Sequence, residues 1–210
     1  MGRRWVKEKK QEYYYRKAKA EAYRSRAAYK LLQLNKKFGL IREGDRVLDL
    51  GAAPGGWMQV AGEAVGPKGL VVGVDLQGME PFPGENIIAI RGDFTTPGTL
   101  EEIRRRIAQA DVVISDASPD ISGVWEIDHV RSIELCRTAL AVARSILKPG
   151  GNFLAKVFQG AEVEVLLKEV KAAFTYVKMT KPQASRSQSA EMYIVAKGKK
   201  TDFTPKVGSN

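Results

Sequence analysis

Residues 49–57 read DLGAAPGGW and follow the segment RVL (46–48), whose apolar residues predict a short strand. Glycines directly after a strand let the backbone approach a ligand where a Cβ would collide. Their spacing differs from the G-x-G-x-x-G pattern of dinucleotide-binding turns. Pro54 also lacks the N–H donor that a pyrophosphate would use. We therefore predict a nucleoside ligand without phosphates, such as S-adenosyl-L-methionine.

Apolar runs of strand length alternate with helical patterns along the rest of the chain. Strands are predicted at 45–51, 70–76, 86–93, 110–118, 151–158, 175–182 and 191–198, and helices at 25–38, 56–65, 99–109, 128–147 and 161–174. Ser25 is a candidate N-cap of the first helix, and Gly39 is its expected end. Most strands are apolar throughout, which predicts a mainly parallel α/β sheet covered by helices on both faces. The last two strands are compatible with an antiparallel hairpin.

Polar residues and glycines follow five successive strands, where open α/β sheets bind their ligands. These residues are Gly51 to Trp57, Asp75, Asp93, Asp116 and Lys156. Asp75 lies at the separation from Gly51 at which an acidic side chain reaches ribose hydroxyls in doubly wound folds. Each of these residues alone would be an ordinary turn or capping residue. Lys156 differs, because a charge inside the apolar run FLAKVF is costly to bury without a purpose.

Positive charge is concentrated at the start of the chain. Residues 1–30 hold eleven Lys and Arg against three Glu, and thus +8 of the net charge of +10. Five aromatic residues lie within residues 1–23: Trp5, Tyr13, Tyr14, Tyr15 and Tyr23. Phosphates attract such cations and unstacked bases lie on aromatic rings, so residues 1–23 are predicted to be a basic RNA-binding arm. A solvated extension that only improves solubility is an equal interpretation of the composition.

Several classes of protein are disfavoured by composition. The chain has no long apolar run and no secretory signal, so we expect a cytoplasmic protein without a membrane anchor. The lone Cys136 is expected to be a core residue of a reducing compartment. One His and one Cys cannot form a zinc cluster. Carboxylates at 49, 75, 93 and 116 could suggest magnesium, but there is no phosphate-binding loop, so no metal is predicted.

Five segments together resemble the FtsJ/RrmJ (RlmE) family of ribosomal RNA 2′-O-ribose methyltransferases. They are SRAAYKLLQLN, VLDLGAAPGGW, DVVISDASPDISG, FLAKVFQG and KPQASRSQSAEMYIVAKG, and the match extends over residues 24–198. The resemblance implies a Rossmann-like class I methyltransferase with a seven-stranded sheet and an antiparallel last strand. Residues 1–23 and a flexible tail at 199–210 lie outside it.

The resemblance also implies functional residues. It places a catalytic tetrad at Lys30, Asp116, Lys156 and Glu191. It places contacts to S-adenosyl-L-methionine at Gly55, Trp57, Asp75, Asp93 and Asp116. We add Gly51 and Gly56 to the cofactor-binding residues, because glycine lets the backbone approach a ligand closely. From periodicity alone, Lys30 would be a surface lysine, Glu191 an edge-protecting charge and Trp57 a core residue. His129 is expected at a helix start or on the surface.

Three functions of different classes are consistent with these residues. The first is 2′-O-methylation of a uridine in large-subunit (23S-type) ribosomal RNA by a monomer, either on free RNA or within the assembled subunit; a tRNA substrate of the same family is its nearest alternative. The second is a nicotinamide-dependent dehydrogenase, which the missing G-x-G-x-x-G disfavours. The third is a noncatalytic RNA-binding protein on a methyltransferase fold, which an intact tetrad disfavours.

Overall fold

Seven strands form one sheet in the computed structural model, which describes residues 12–186 and 188–201. The strands are β1 (Arg46–Leu50), β2 (Leu70–Asp75), β3 (Ile87–Arg91), β4 (Ala110–Ser115), β5 (Leu147–Phe158), β6 (Phe174–Thr180) and β7 (Glu191–Lys199). Their order is β3-β2-β1-β4-β5-β7-β6. β1 to β5 pair in parallel, and β7 lies antiparallel between β5 and β6. The predicted seven-stranded sheet with an antiparallel last strand is confirmed.

Helices cover both faces of this sheet. They are α1 (12–20), α2 (Ala28–Phe38), α3 (Gly56–Val65), α4 (Pro97–Arg106), α5 (Trp125–Ile146) and α6 (Val163–Ala173). The side chains of β1 alternate between two cores, because successive residues of a strand point to opposite faces. Leu48 and Leu50 pack with α4, α5 and α6, whereas Val47 packs with α2 and α3. No helix in the described residues is long and apolar enough to cross a membrane.

Several element boundaries differ from the predicted ones. α2 begins at Ala28 after the N-cap Ala27, which makes no side-chain capping bond, so the prediction of Ser25 as N-cap is wrong. Gly39 ends this helix as expected, in the left-handed conformation with φ 58°. β7 continues to Lys199, one residue into the predicted tail. Residues 1–11 of the predicted arm and 202–210 of the predicted tail lie outside the described residues.

The second half of the predicted arm packs against α2. Helix α1 buries Ala18 with Tyr29 and Ala184 in a small apolar cluster. Tyr29 donates its hydroxyl to Glu21 at 2.7 Å, and Tyr14 accepts a bond from Gln33 at 2.9 Å. Residues 12–23 therefore lie on the surface of the domain and are attached to the helix that carries Lys30.

Cys136 is an inert core residue, in agreement with its expected structural role. It lies in α5 with 3% of its surface exposed. Burial and, to a lesser extent, the charge of Glu169 raise the pKa of its thiol to about 12, against the opposing charge of Arg137. The thiolate that would react or bind a metal is therefore scarce at neutral pH.

The stacked pair of Phe153 on β5 and Phe174 on β6 lies in the core that also contains α6, and it provides a test of the packing. Phe153 is fully buried, and the two ring centroids lie 6.0 Å apart. We expect Phe153→Ala to lower the free energy of unfolding by about 3–5 kcal/mol in urea titrations. Tyr176→Ala, at an exposed position on β6, should change it by less than about 0.5 kcal/mol. Equal effects would contradict the core assigned to this face.

Candidate active site

A cavity of about 700 Å³ lies at the carboxyl ends of the parallel strands. Four predicted residues line it: Gly51, Asp75, Asp93 and Asp116. Apolar side chains complete the wall, among them Leu76, Phe94, Val130 and Leu135. Apolar walls with a few convergent polar groups are typical of small-molecule sites, and the volume lies in their usual range.

Two carboxylates of this cavity are held by backbone amides. Asp75 accepts bonds from the N–H of Ala53 at 2.9 Å and of Gln77 at 2.8 Å, one on each oxygen. Asp93 accepts from the N–H of Thr95 at 2.8 Å. A carboxylate oxygen has more than one lone pair, so both groups can still accept bonds from hydroxyl or ammonium groups of a ligand.

The end of β1 carries a required glycine and a buried acid. Gly51 has φ +74°, and a Cβ there would lie 2.5 Å from the Cβ of Ala117, so this position needs glycine. Asp49 is fully buried, and neither of its carboxyl oxygens bonds to a described residue. Burial raises its pKa well above the ordinary value, and the charges of Asp116 and Asp75 raise it further. Asp49 is thus a buried acid whose neutral form is favoured, two residues before the cavity residue Gly51.

Three residues predicted to contact the cofactor lie outside the cavity lining. A Cβ on Gly55 would lie 2.5 Å from the ring of Phe82, and one on Gly56 would lie 2.3 Å from Oγ of Ser25. Both glycines therefore permit close packing within the protein. Trp57 is 3% exposed and donates its indole N–H at 2.8 Å to the backbone carbonyl of Ala27, the N-cap of α2. Cofactor contact by these three residues stays a prediction.

Four charged side chains from distant parts of the chain converge beside the cavity. Lys30 Nζ lies 3.5 Å from Asp116 Oδ2 and 3.3 Å from Glu191 Oε2. Lys156 Nζ lies 3.4 Å from Asp116 Oδ1 and 3.8 Å from Glu191 Oε1. Each lysine therefore faces both carboxylates. The structure brings together all four residues of the predicted tetrad.

The topology explains why the first residue of β7 reaches the last residues of β5. Because β7 is antiparallel, its start lies at the carboxyl end of β5, where Glu191 pairs with Phe158 and Tyr193 with Lys156. Asp116 directly follows β4, the parallel neighbour of β5. α2 brings Lys30 against this edge from the face of the sheet that it covers.

The electrostatics of the cluster favour an ionised Asp116. Burial opposes its ionisation, but the charges of Lys156 and Lys30 and a hydrogen bond from Tyr193 outweigh burial and lower the pKa of this carboxyl. Lys156 also donates to the backbone carbonyl of Asp116 at 2.7 Å. Both lysines are buried, with 7% of each residue exposed. Asp116 is therefore an anion that organises two buried amines.

Tyr193 is a member of this cluster that sequence reasoning missed. It is fully buried, and its hydroxyl donates to Asp116 Oδ1 at 2.6 Å. Burial raises the pKa of this hydroxyl well above its ordinary value, and the negative charges of Asp116 and Glu191 act in the same direction. Tyr193 lies two positions after Glu191, and the two-residue period of a strand places both on one face. That spacing was the available signal.

His129 was expected at a helix start or on the surface. It lies near the start of α5 and is buried. Its Nδ1 lies 3.2 Å from the carbonyl of Phe158, and its Nε2 accepts the N–H of Glu162 at 3.3 Å. These bonds fit the neutral ring with its proton on Nδ1. Within the part of the chain that the structure describes, no group of three or more His, Cys, Asp or Glu is placed to hold a metal ion.

Comparison with known proteins identifies the family. The model of the FtsJ-like methyltransferases matches residues 23–199. The chain belongs to the FtsJ-like methyltransferase family. The predicted family and the predicted methyltransferase activity are confirmed. The alternative of a nicotinamide-dependent dehydrogenase is wrong. S-adenosyl-L-methionine is the cofactor that membership of this methyltransferase family indicates.

Individual relatives agree with this membership. The chain is 57% identical to ribosomal RNA large subunit methyltransferase E of Methanothermobacter thermautotrophicus, over 94% of both chains. It is 54% identical to the protein of the same name from Methanocaldococcus jannaschii, over 99% of this chain and 89% of the relative.

Solved structures also match. A Plasmodium falciparum chain described as a ribosomal RNA methyltransferase is 29% identical with a TM-score of 0.75, over 84% of this chain and 98% of that one. Aeropyrum pernix fibrillarin, crystallised with S-adenosyl-L-methionine, is 22% identical with a TM-score of 0.55, over 83% of this chain and 75% of that one; it supports the fold alone.

The buried acid Asp49 predicts a characteristic pH dependence. Its raised pKa means that the stability it contributes is complete below about pH 4 and is lost as the pH rises toward the pKa in the folded protein. Asp49→Asn removes this titration. We expect the stability of the variant relative to wild type, measured by urea unfolding, to increase from pH 4 to pH 8. Glu85→Gln, at an exposed carboxylate, should give a flat difference. A flat difference for Asp49→Asn would show that Asp49 ionises normally.

Proposed function

We propose that this protein transfers a methyl group from S-adenosyl-L-methionine to a ribose 2′-hydroxyl of RNA, acting as a monomer on a uridine of large-subunit ribosomal RNA within the ribosomal subunit. One observation carries the proposal: Asp116 lines the cavity and also binds both buried lysines. A hydroxyl is a poor nucleophile until its proton is removed, so a base beside a donor site is the arrangement that this reaction needs.

The choice of ribosomal RNA is supported by the relatives and by charge. Relatives with more than half of their residues identical carry the name ribosomal RNA large subunit methyltransferase E. The first 30 residues hold most of the net positive charge, which suits an extended contact with phosphates. Residues 1–23 are proposed as an RNA-binding arm and residues 24–198 as the methyltransferase domain.

The cavity residues fit the proposed cofactor. Asp75 and Asp93 would accept bonds from its hydroxyl groups, and Leu76 and Phe94 offer apolar surface for a nucleobase. The buried Asp49 is an acid with unused bonding capacity beside this cavity. When bound, S-adenosyl-L-methionine supplies the methyl group as an electrophile on a positively charged sulfur. We also include Gly51, Gly55, Gly56, Trp57 and Asp116 among the proposed cofactor-binding residues.

Lys156 is the proposed base. Its ammonium group is held by the carbonyl of Asp116 and by two carboxylates within 4 Å, so its position is fixed. In its amine form it accepts the proton of the ribose hydroxyl. Asp116 and Glu191 orient the lysines and accept a bond from the hydroxyl before the proton moves.

Lys30 completes the charge balance of the tetrad. Two ammonium groups and two carboxylates sum to zero, so loss of a proton from Lys156 alone leaves one negative charge. A cation bound next to the cluster restores neutrality, because opposite charges at short range favour each other strongly in a buried site. Lys30 stays within 3.5 Å of both carboxylates and keeps them from attracting the transferred proton. Lys30 thus holds the two carboxylates while Lys156 serves as the proposed base.

The proposed reaction is tested by methyl transfer to a panel of RNAs. Purified protein and labelled S-adenosyl-L-methionine are incubated with large-subunit ribosomal RNA, intact subunits and tRNA, and the labelled nucleotide is mapped. Alkali cleaves RNA through the 2′-hydroxyl, so an alkali-resistant labelled dinucleotide identifies ribose methylation. Label on a base would contradict the reaction, and label on tRNA alone would replace ribosomal RNA as the substrate.

Lys156→Ala tests the assignment of the base. We expect methyl transfer to fall by about 10²–10⁴-fold, the usual contribution of a general base. Cofactor affinity, measured by calorimetry, should not fall, because Lys156 is absent from the lining of the cavity and its removal takes positive charge away from beside a positively charged donor. Lys178→Ala, at an exposed lysine of β6, is the matched control and should retain activity. An active Lys156→Ala variant would remove Lys156 from the mechanism.

A second prediction concerns the arm. Deleting residues 1–11 removes five cations and one Glu but leaves the packing of α1 on Tyr29 in place. We expect weaker RNA binding and a shallower fall of log affinity with log salt, by about 0.7–0.9 for each phosphate that these cations neutralise in the full-length protein. Cofactor affinity should stay constant. An unchanged salt slope would show that these cations do not bind phosphates.

A further inference from the structure

An apolar surface patch lies next to the tetrad and has no role in the structure described so far. Five large side chains between residues 121 and 130 are exposed by 44–63%: Ile121, Val124, Trp125, Ile127 and Val130. Single exposed apolar residues are common on protein surfaces, but contiguous groups of them mark binding sites. Val130 also lines the large cavity, so the patch borders the proposed cofactor site.

Trp125 is the fixed ring of this patch. It lies nearly parallel to the rings of Phe158 and His129, with centroids 6.1 and 6.2 Å apart. His129 is itself held by the carbonyl of Phe158 and the N–H of Glu162. The orientation of Trp125 is therefore set by its neighbours, while 46% of its surface stays exposed.

A second cavity, of about 420 Å³, connects Trp125 to the tetrad. Its lining includes Trp125, Ile121, Phe158 and Glu191. Glu191 is the tetrad residue whose Oε1 lies 3.8 Å from Lys156. Ser118 lines both this cavity and the larger one. The tetrad thus lies between two cavities.

The loop beside this second cavity is held in place before any ligand binds. Asp128, which is 4% exposed, accepts bonds from the N–H and the hydroxyl of Ser122 at 2.8 and 2.7 Å. It also accepts the N–H of Gly123 at 3.2 Å. These bonds fix the turn that carries Ile121 and leads into Trp125. A preorganised site loses less conformational freedom on binding.

We infer that Trp125 stacks on the nucleobase of the nucleotide whose ribose is methylated. This inference rests on the proposed function. The base is attached to C1′ and the reacting hydroxyl to C2′, so a hydroxyl at Lys156 places the base in an adjacent space. The larger cavity is assigned to the cofactor, which leaves the second cavity for the base. Proteins commonly hold an unstacked RNA base against an aromatic ring.

The experiment compares two RNAs with two proteins. The substrate is the ribosomal RNA fragment that contains the mapped nucleotide, either intact or with that nucleotide replaced by an abasic ribose that retains its 2′-hydroxyl. For intact RNA, Trp125→Ala should raise Kd by about 5- to 100-fold, the usual loss of one stacked base. For abasic RNA, wild type and variant should bind equally. This non-additivity identifies a direct contact between ring and base.

Control variants separate stacking from general damage. Trp125→Phe retains an aromatic face and should recover most of the affinity for intact RNA. Val165→Ala removes a similarly exposed apolar side chain on α6 that lies outside the patch and lines neither cavity, and it should leave the affinity unchanged. Cofactor affinity and thermal midpoint report whether Trp125→Ala remains folded; if it does not, Trp125→Phe and Trp125→Leu, compared on both RNAs, apply the same test.

The outcomes distinguish the inference from the proposed function. Wild type that methylates no ribose would overturn the proposed function and this inference with it. Wild type that methylates RNA, together with a Trp125→Ala variant that weakens intact and abasic RNA equally or neither of them, would overturn the stacking interaction alone. A dimer of the wild type, detected by sedimentation and absent in Trp125→Ala, would assign the patch to self-association and also overturn it.

Discussion

The structure depends on the mutual neutralisation of four buried or half-buried charges. Lys30 and Lys156 are each more than nine-tenths buried, and an isolated ammonium group at such positions would cost several kcal/mol in lost hydration. Asp116 and Glu191 each lie within 4 Å of both amines. Loss of any one member leaves an uncompensated charge, so the cluster constrains the positions of α2, β4, β5 and β7 together.

The antiparallel strand makes this cluster possible. In an all-parallel sheet the first residue of a strand lies at the edge opposite to the ligand-binding crevice, because parallel strands end at the same edge. Reversal of β7 brings Glu191 and Tyr193 to the carboxyl ends of β4 and β5. Tyr193 then uses its hydroxyl to bond Asp116, which leaves that carboxylate its other oxygen for Lys30. Strand direction thus determines the chemistry at the end of the sheet.

Strand patterns in the sequence predicted the sheet and the gathering of Asp75, Asp116 and Lys156 at strand ends, because both follow from strand order. Lys30 and Glu191 were predicted only from the resemblance to the methyltransferase family. The surroundings of other individual side chains depend on tertiary packing, which these patterns do not reveal. Trp57 and Gly55 belong to the predicted motif, yet the ring of Trp57 lies 5.9 Å from that of Tyr193 in the core, and Gly55 abuts Phe82. The burial of His129 depends on a loop after β5 that has no periodic pattern of its own. The raised pKa of Asp49 could not be predicted either, because it depends on burial and on the nearby charges of Asp116 and Asp75.

The segment between α1 and α2 connects the proposed RNA-binding arm to the glycine-rich turn. The guanidinium of Arg24 lies 3.7 Å from the ring centroid of Phe82 and donates to the carbonyls of Glu80 and Pro81. The backbone N–H of Arg24 is bound by the side chain of Gln59 on α3. Six residues after Arg24, α2 carries Lys30. Helix α1 is therefore attached to a segment that is bonded to the helix after the glycine-rich turn and that leads directly into the helix of Lys30.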